Sequence, residues 1–127
     1  MTSAIPTPVE KPDVDVASAA RSAVDVASDR QAMDVVLLDV REISAFNDYM
    51  VIMSADNPRQ VGALVDELEK AITESGLRLH HIEGTQESGW VLLDFSDIVI
   101  HVFSEEQRGY YRLDEVWRAA KTLVRLQ

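Results

Sequence analysis

The chain has 127 residues, enough for one domain with a real core and too few for two ordinary ones. With 22 acidic residues against 12 basic ones, its formal net charge is −10; this works against binding to phosphate backbones and favours basic proteins as partners. It has no cysteine, so disulfides, thiolate metal sites and cysteine nucleophiles are excluded, which fits a reducing compartment.

Residues 1–12 hold three of the four prolines and few large apolar groups, and read as a disordered tail. They also lack the basic start and apolar run of a secretory signal. A single domain is expected over 13–127. Val14, Ala17, Ala20, Val24 and Ala27 recur at three and four, the spacing of one helix face. Alanine buries little area, so this helix is expected at the periphery. Residues 35–40 and 49–54 are continuous apolar runs of strand length. Their link is shorter than a parallel crossover requires, so they are expected to pair antiparallel. Next, Asn57 can cap a helix, Pro58 suits its first position, and Gln60 sits where a capping box places it. Val61, Leu64, Val65, Leu68 and Ile72 form the buried stripe of that helix, and Gly76 can end it.

Residues 77–83 read as a strand that forms a right-handed β-α-β unit with the strand at 49–54. Residues 90–95 and 98–103 read as two more strands, split by a tight turn at Ser96-Asp97. Ser104 and Gln107 suggest a cap opening a short turn that Gly109 stops. A final helix then carries Leu113, Val116, Trp117, Ala120 and Leu123 on one side. The sum is an α/β (α+β) fold, a five-stranded mixed sheet with flanking helices. The longest apolar stretches, such as 98–103, fall far short of the ~20 residues of a membrane helix. No membrane is expected as a partner, and the expected location is cytoplasmic.

Few residues suggest catalysis. The glycines at 62, 76, 84, 89 and 109 fit neither a phosphate loop nor a dinucleotide fingerprint. His80 and His81 are neighbours on an expected strand, so they point to opposite faces and cannot share a metal. His101 lies inside an apolar strand, where a histidine is most often simply satisfied by its surroundings. Asp94 and Asp97 flank the hairpin, and Asp97 alternates onto the face of His101. Two carboxylates there could hold Mg²⁺ for phosphoryl transfer. Against that, a hairpin aspartate is ordinarily a solvated turn residue, and no lysine or arginine lies in the hairpin to steady a phosphate. Serine hydrolysis lacks its elbow motif, since Ser44, Ser54, Ser88, Ser96 and Ser104 fall where turns or caps use a hydroxyl. No enzyme activity, cofactor or metal is expected. The strand at 90–95 is apolar in both alternating sets, so it needs cover on both faces. With few helices available, one face is left as a half-covered apolar and acidic patch, the mark of a partner interface. Trp117 is expected in the core, whereas Trp90 fits either the core or that interface.

Several segments, read together, resemble the ribosomal silencing factor (Iojap-like) family. They are Asp34-Val35-Val36-Leu37-Leu38-Asp39-Val40, Asp48-Tyr49, Arg59-Gln60-Val61, Glu83-Gly84, Trp90-Val91-Leu92-Leu93-Asp94-Phe95 and Asp97-Ile98-Val99-Ile100-His101-Val102-Phe103. Glu105-Glu106, Arg108, Tyr111-Arg112-Leu113 and Trp117 close the match, which covers about two thirds of the chain. The resemblance implies a nucleotidyltransferase-like topology without the catalytic residues. It implies binding to the large ribosomal subunit through its ribosomal protein fourteen, steric blocking of association with the small subunit, and lower translation when nutrients are short. It also allows a homodimer. Trp90, Leu92, Asp94, Asp97, His101 and Glu105 are the partner-binding positions it implies; direct DNA binding is not implied. The chain departs from the family where Gly89 replaces an arginine before the tryptophan, Asn47 a threonine and Met50 a phenylalanine. Two other readings stand beside this one: a divergent metal-dependent nucleotidyltransferase using Asp94 and Asp97, and an interaction module for a non-ribosomal basic protein.

Overall fold

The computed structural model describes residues 14–111 and 117–127. The expected tail at 1–12 therefore lies outside the described residues, as do Leu113 and Val116 of the expected last helix. In chain order the elements are α1 (Val16–Asp29), β1 (Met33–Asp39), β2 (Tyr49–Ala55), α2 (Pro58–Glu74), β3 (His81–Glu83), β4 (Trp90–Asp94), β5 (Ile98–Ser104), α3 (Glu105–Tyr111) and β6 (Lys121–Leu126).

The strands form one mixed sheet in the order β3-β4-β5-β2-β1-β6. β1 and β2 pair antiparallel, and so do β4 and β5, as their short links require. β2 and β5 pair in parallel at the centre, Tyr49 opposite Ile98 through Ala55 opposite Ser104. Both are buried almost from end to end, as apolar runs without alternation demand.

Three expectations are corrected here. Among the described residues the sheet has six strands, not five, because the described part of the expected final helix is instead a turn at 117–120 followed by β6, which pairs antiparallel with β1. Trp117, Ala120 and Leu123 do recur at three, but β1 is apolar and buried on both faces. A backbone partner along its outer edge satisfies peptide groups that a helix would leave unpaired. The segment 77–83 is a strand only over His81–Glu83, and its neighbour is β4, not β2. Its residues are exposed, so it suits the sheet edge, while β5 takes the central place beside β2. Gly109 does not stop α3, which runs on to Tyr111; nothing lies within 4 Å of where a Cβ at this position would be.

One sheet face is covered by α1 and α2. Asp15 caps α1 by accepting from the Ser18 amide, and Asn57 caps α2 by accepting from the Gln60 amide. Gln60 reaches back to accept from the Asp56 amide and donates to the Arg30 carbonyl at 2.9 Å, joining the two helices at their ends. Ala19, Ala20, Ala23, Val24 and Ala27 of α1 are buried with Val61, Leu64, Leu68 and Ile72 of α2 against Val35, Leu37, Val51, Met53, Leu93 and Ile100. Small side chains thus bring α1 into close contact with its neighbours, a tighter seat than its alanine-rich stripe suggested. The other face carries a smaller core of Val36, Leu38, Val40, Met50, Ile52 and Phe103, with Trp90, Trp117 and Ala120 packed on it. Arg108 of α3 is buried there and donates to the Ser54 hydroxyl at 2.8 Å, fixing α3 to β2.

Candidate protein-docking face

β4 sits near one edge of the sheet with alternating burial. Val91 and Leu93 are buried toward the helices, while Trp90, Leu92 and Asp94 are half-buried on the other face. At ~3.3 Å per residue the strip from Trp90 to Asp94 is roughly 13 Å long. In register, Trp90 lies opposite Phe103, Leu92 opposite His101 and Asp94 opposite Val99. Four of the six expected site residues therefore share one patch of sheet. The other two lie at its ends: Asp97 is half-buried in the turn before β5, and Glu105 is exposed at the start of α3.

His101 differs from the others, being only 5 % exposed. Trp90 donates its indole N–H to His101 Nδ1 at 3.0 Å. The indole also stacks on Phe103, with centroids 4.9 Å apart and an interplanar angle of 27°. Burial pushes His101 down from 6.5 to about 4, so the ring is neutral near pH 7 and Nδ1 keeps a lone pair to accept with. Trp90 is thus both a wall of the smaller core and a surface group.

The strand's entry is set by two glycines. Gly84 has a φ of +90° and lies so close to β4 that a Cβ would overlap the Trp90 carbonyl oxygen. Gly89 has a φ of +84°, and a Cβ there would lie 2.6 Å from Gln107 Cγ and 2.9 Å from the Ser104 hydroxyl. The Gly89 carbonyl accepts from the Ser104 amide at 2.8 Å. A side chain at position 89 would therefore strain the backbone and crowd Gln107. Between Glu83, Gly84, Trp90 and Leu92 lies a shallow, mainly apolar depression of about 210 Å³.

Both aspartates flanking the hairpin take part in the turn, Asp94 through its carboxylate and Asp97 through its backbone carbonyl. Asp94 accepts from the Ser96 amide at 2.8 Å, and the Asp97 carbonyl accepts from the Asp48 and Tyr49 amides. Among the described residues no group of three or more His, Asp or Glu gathers where it could hold a metal. Asn47 donates to the Ser96 carbonyl at 2.7 Å, bringing the β1–β2 loop to the same end of the face. Phe46 in that loop is 84 % exposed. Sequence reasoning passed over both Phe46 and the Glu83–Gly84 shelf. An aromatic set among Ser44, Ala45, Asn47 and Asp48, in a short inter-strand link, was the available signal for the first.

Charge is divided across the sheet. The β3–β4 side carries Glu83, Glu87 and Asp94, whereas residues 117–127 at the opposite edge contain Arg118, Lys121 and Arg125 and no Asp or Glu. The patch around β4 is thus apolar at its centre and acidic around it, a composition that suits protein recognition.

The fold is that of an α/β protein with one mixed sheet and flanking helices, and comparison identifies its family. Residues 13–127 match the family model described as "Ribosomal silencing factor during starvation", and the chain belongs to that family. It is 37 % identical over 101 residues to the ribosomal silencing factor RsfS of Halalkalibacterium halodurans, covering 80 % of this chain and 86 % of that one. It is also 30 % identical over 97 residues to a mouse protein named for mitochondrial assembly of the ribosomal large subunit, covering 74 % of this chain and 42 % of that one. A crystal structure of a Chromobacterium violaceum protein superposes with a TM-score of 0.76 at 27 % identity, covering 81 % of this chain and 86 % of that one. Among the described residues no helix is long and apolar enough to cross a membrane.

Proposed function

We propose that the protein binds the large ribosomal subunit through the β4 face and sterically blocks association with the small subunit, lowering translation when nutrients are short. The observation that carries this reading is the Trp90–Leu92–Asp94 strip, half-buried, backed by a packed core and edged with carboxylates. Its target is a basic protein, which we take to be large-subunit ribosomal protein fourteen. Trp90 and Leu92 anchor the contact; Asp94, Asp97 and Glu105 at its margin steer the encounter. The name of the mouse relative supports the large subunit as the target. Residues 13–127 act as one ribosome-binding domain in the cytoplasm. The nucleotidyltransferase-like topology serves as a scaffold rather than as a catalyst, and a homodimer is compatible with it. The engagement of the Asp94 carboxylate in the turn favours this over metal-dependent nucleotidyl transfer.

Sucrose-gradient sedimentation tests it. Added protein should travel with large subunits and convert intact ribosomes formed from mixed subunits into free ones. An intact-ribosome peak that persists at any excess would overturn the proposal.

A further inference from the structure

We infer that His101 is a positioning residue, which fixes the Trp90 indole as a rigid anchor for the docking partner without touching that partner itself. The inference rests on the docking reading given above.

Trp90 lies half-buried at the first position of β4. Two neighbours on β5 restrict it. Phe103, directly opposite, supports its flat face at 4.9 Å. His101 is the diagonal neighbour, two residues before Phe103, and its ring lies 11° from parallel with that of Phe103, centroids 6.1 Å apart. Stacking on Phe103 defines the indole plane but does not by itself distinguish the two χ2 orientations, about 180° apart, that put the N–H on opposite edges. The hydrogen bond from the indole N–H to His101 Nδ1 selects one of these orientations, because it ties one named edge of the ring to the sheet. The edge so tied faces inward, and the rest of the indole is left for the surface beside Leu92 and the depression at Glu83 and Gly84. At 5 % exposure His101 has almost no surface to offer a partner, so any effect on docking passes through Trp90. An anchor held in its bound rotamer loses less conformational entropy on association.

Two substitutions of the full chain separate positioning from mere filling of the core. His101→Leu keeps an apolar side chain but removes the acceptor; His101→Asn keeps an acceptor at the δ position. The readouts are the Trp90 indole N–H resonance, assigned with Trp90→Phe, and binding to purified large subunits. His101→Leu should shift that resonance upfield and weaken binding about tenfold, the effect of roughly one hydrogen bond's free energy. His101→Asn should keep the resonance near its parent position and bind within about threefold of the parent. In the Trp90→Phe background, His101→Leu should weaken binding no further. A His101→Leu protein that binds like the parent after its indole resonance has moved overturns the inference while leaving the docking reading intact. Should His101→Leu fail to fold, His101→Asn decides: a parent-like resonance with binding weakened tenfold or more also overturns it. A parent protein that binds no subunits overturns the docking reading, and the positioning role with it.

Discussion

At the level of single residues, burial decides more than residue type does. His101 is neutral at pH 7 because the interior disfavours its charge, and this has a signed consequence for stability. Its folded value, about 4, lies below its ordinary 6.5, so the unfolded chain takes up the proton first as pH falls. Stability should therefore decline between pH 6.5 and about 4, by about 3 kcal/mol at most, and level off below. Asp39 acts in a separate window. The Arg41 side chain, 2.7 Å away, and the Arg41 amide hold its carboxyl at about 2, so its contribution is present above its ordinary 3.8 and lost as pH falls through 2. Denaturant unfolding at stepped pH should give a flatter curve between 6.5 and 4 for His101→Asn, with the fall near pH 2–4 retained. Gly89 gives a second residue-level expectation. Restoring the family's arginine as Gly89→Arg should cost about 1–3 kcal/mol in a thermal or denaturant melt, because φ at +84° strains any side chain and Gln107 must move. An unchanged melting temperature would show that the loop relaxes freely.

Among the elements, what matters is how each is tied down. Asn57→Ala removes the cap of α2 and should cost about 1 kcal/mol, measured by denaturant midpoint. Arg108→Ala should cost more, about 2–3 kcal/mol, since it leaves the buried Ser54 hydroxyl without its donor and detaches α3 from β2. The sequence places Trp117 in the core and leaves Trp90 to either the core or the interface. In the fold both are half-buried on the same small core. Trp117→Ala should therefore cost about 2 kcal/mol, below the range for a fully buried tryptophan. Trp90→Ala should show some loss of stability too, and its distinguishing effect should be on subunit binding, weakened by ~2–4 kcal/mol. Equal binding by Trp90→Ala and the parent would place the docking surface elsewhere.

For the whole molecule, the net charge of −10 and its uneven placement govern encounter more than retention. Association with a basic target should slow as salt rises past ~0.1 M, where the Debye length is about 10 Å, with dissociation little changed. Reversing Asp94 to lysine should reproduce that slowing at low salt. Stopped-flow or surface-based kinetics separate the two rates, and a dissociation rate that carries the whole effect would contradict steering.

The sequence alone determined those parts of the protein whose partners are close in the chain. The β1–β2 and β4–β5 pairings follow from short links between apolar runs, and α2 follows from its Asn57-Pro58 start and its stripe. The apolar composition of β4 in both alternating sets also indicated that both its faces need cover, and the face bearing Trp90, Leu92 and Asp94 is the half-buried one. Tertiary structure decided the rest, because it turns on hydrogen-bonding partners far away in the chain. The run Lys121-Thr122-Leu123-Val124-Arg125-Leu126 fits a helical spacing as well as a strand, and only the open edge of β1 makes it a strand. The place beside β2 went to β5 rather than to 77–83 because a strand buried on both faces outcompetes a polar one for the centre of a sheet. His101, an isolated histidine in the sequence, acquired its link to Trp90 only when antiparallel register set the two residues diagonally across adjoining strands.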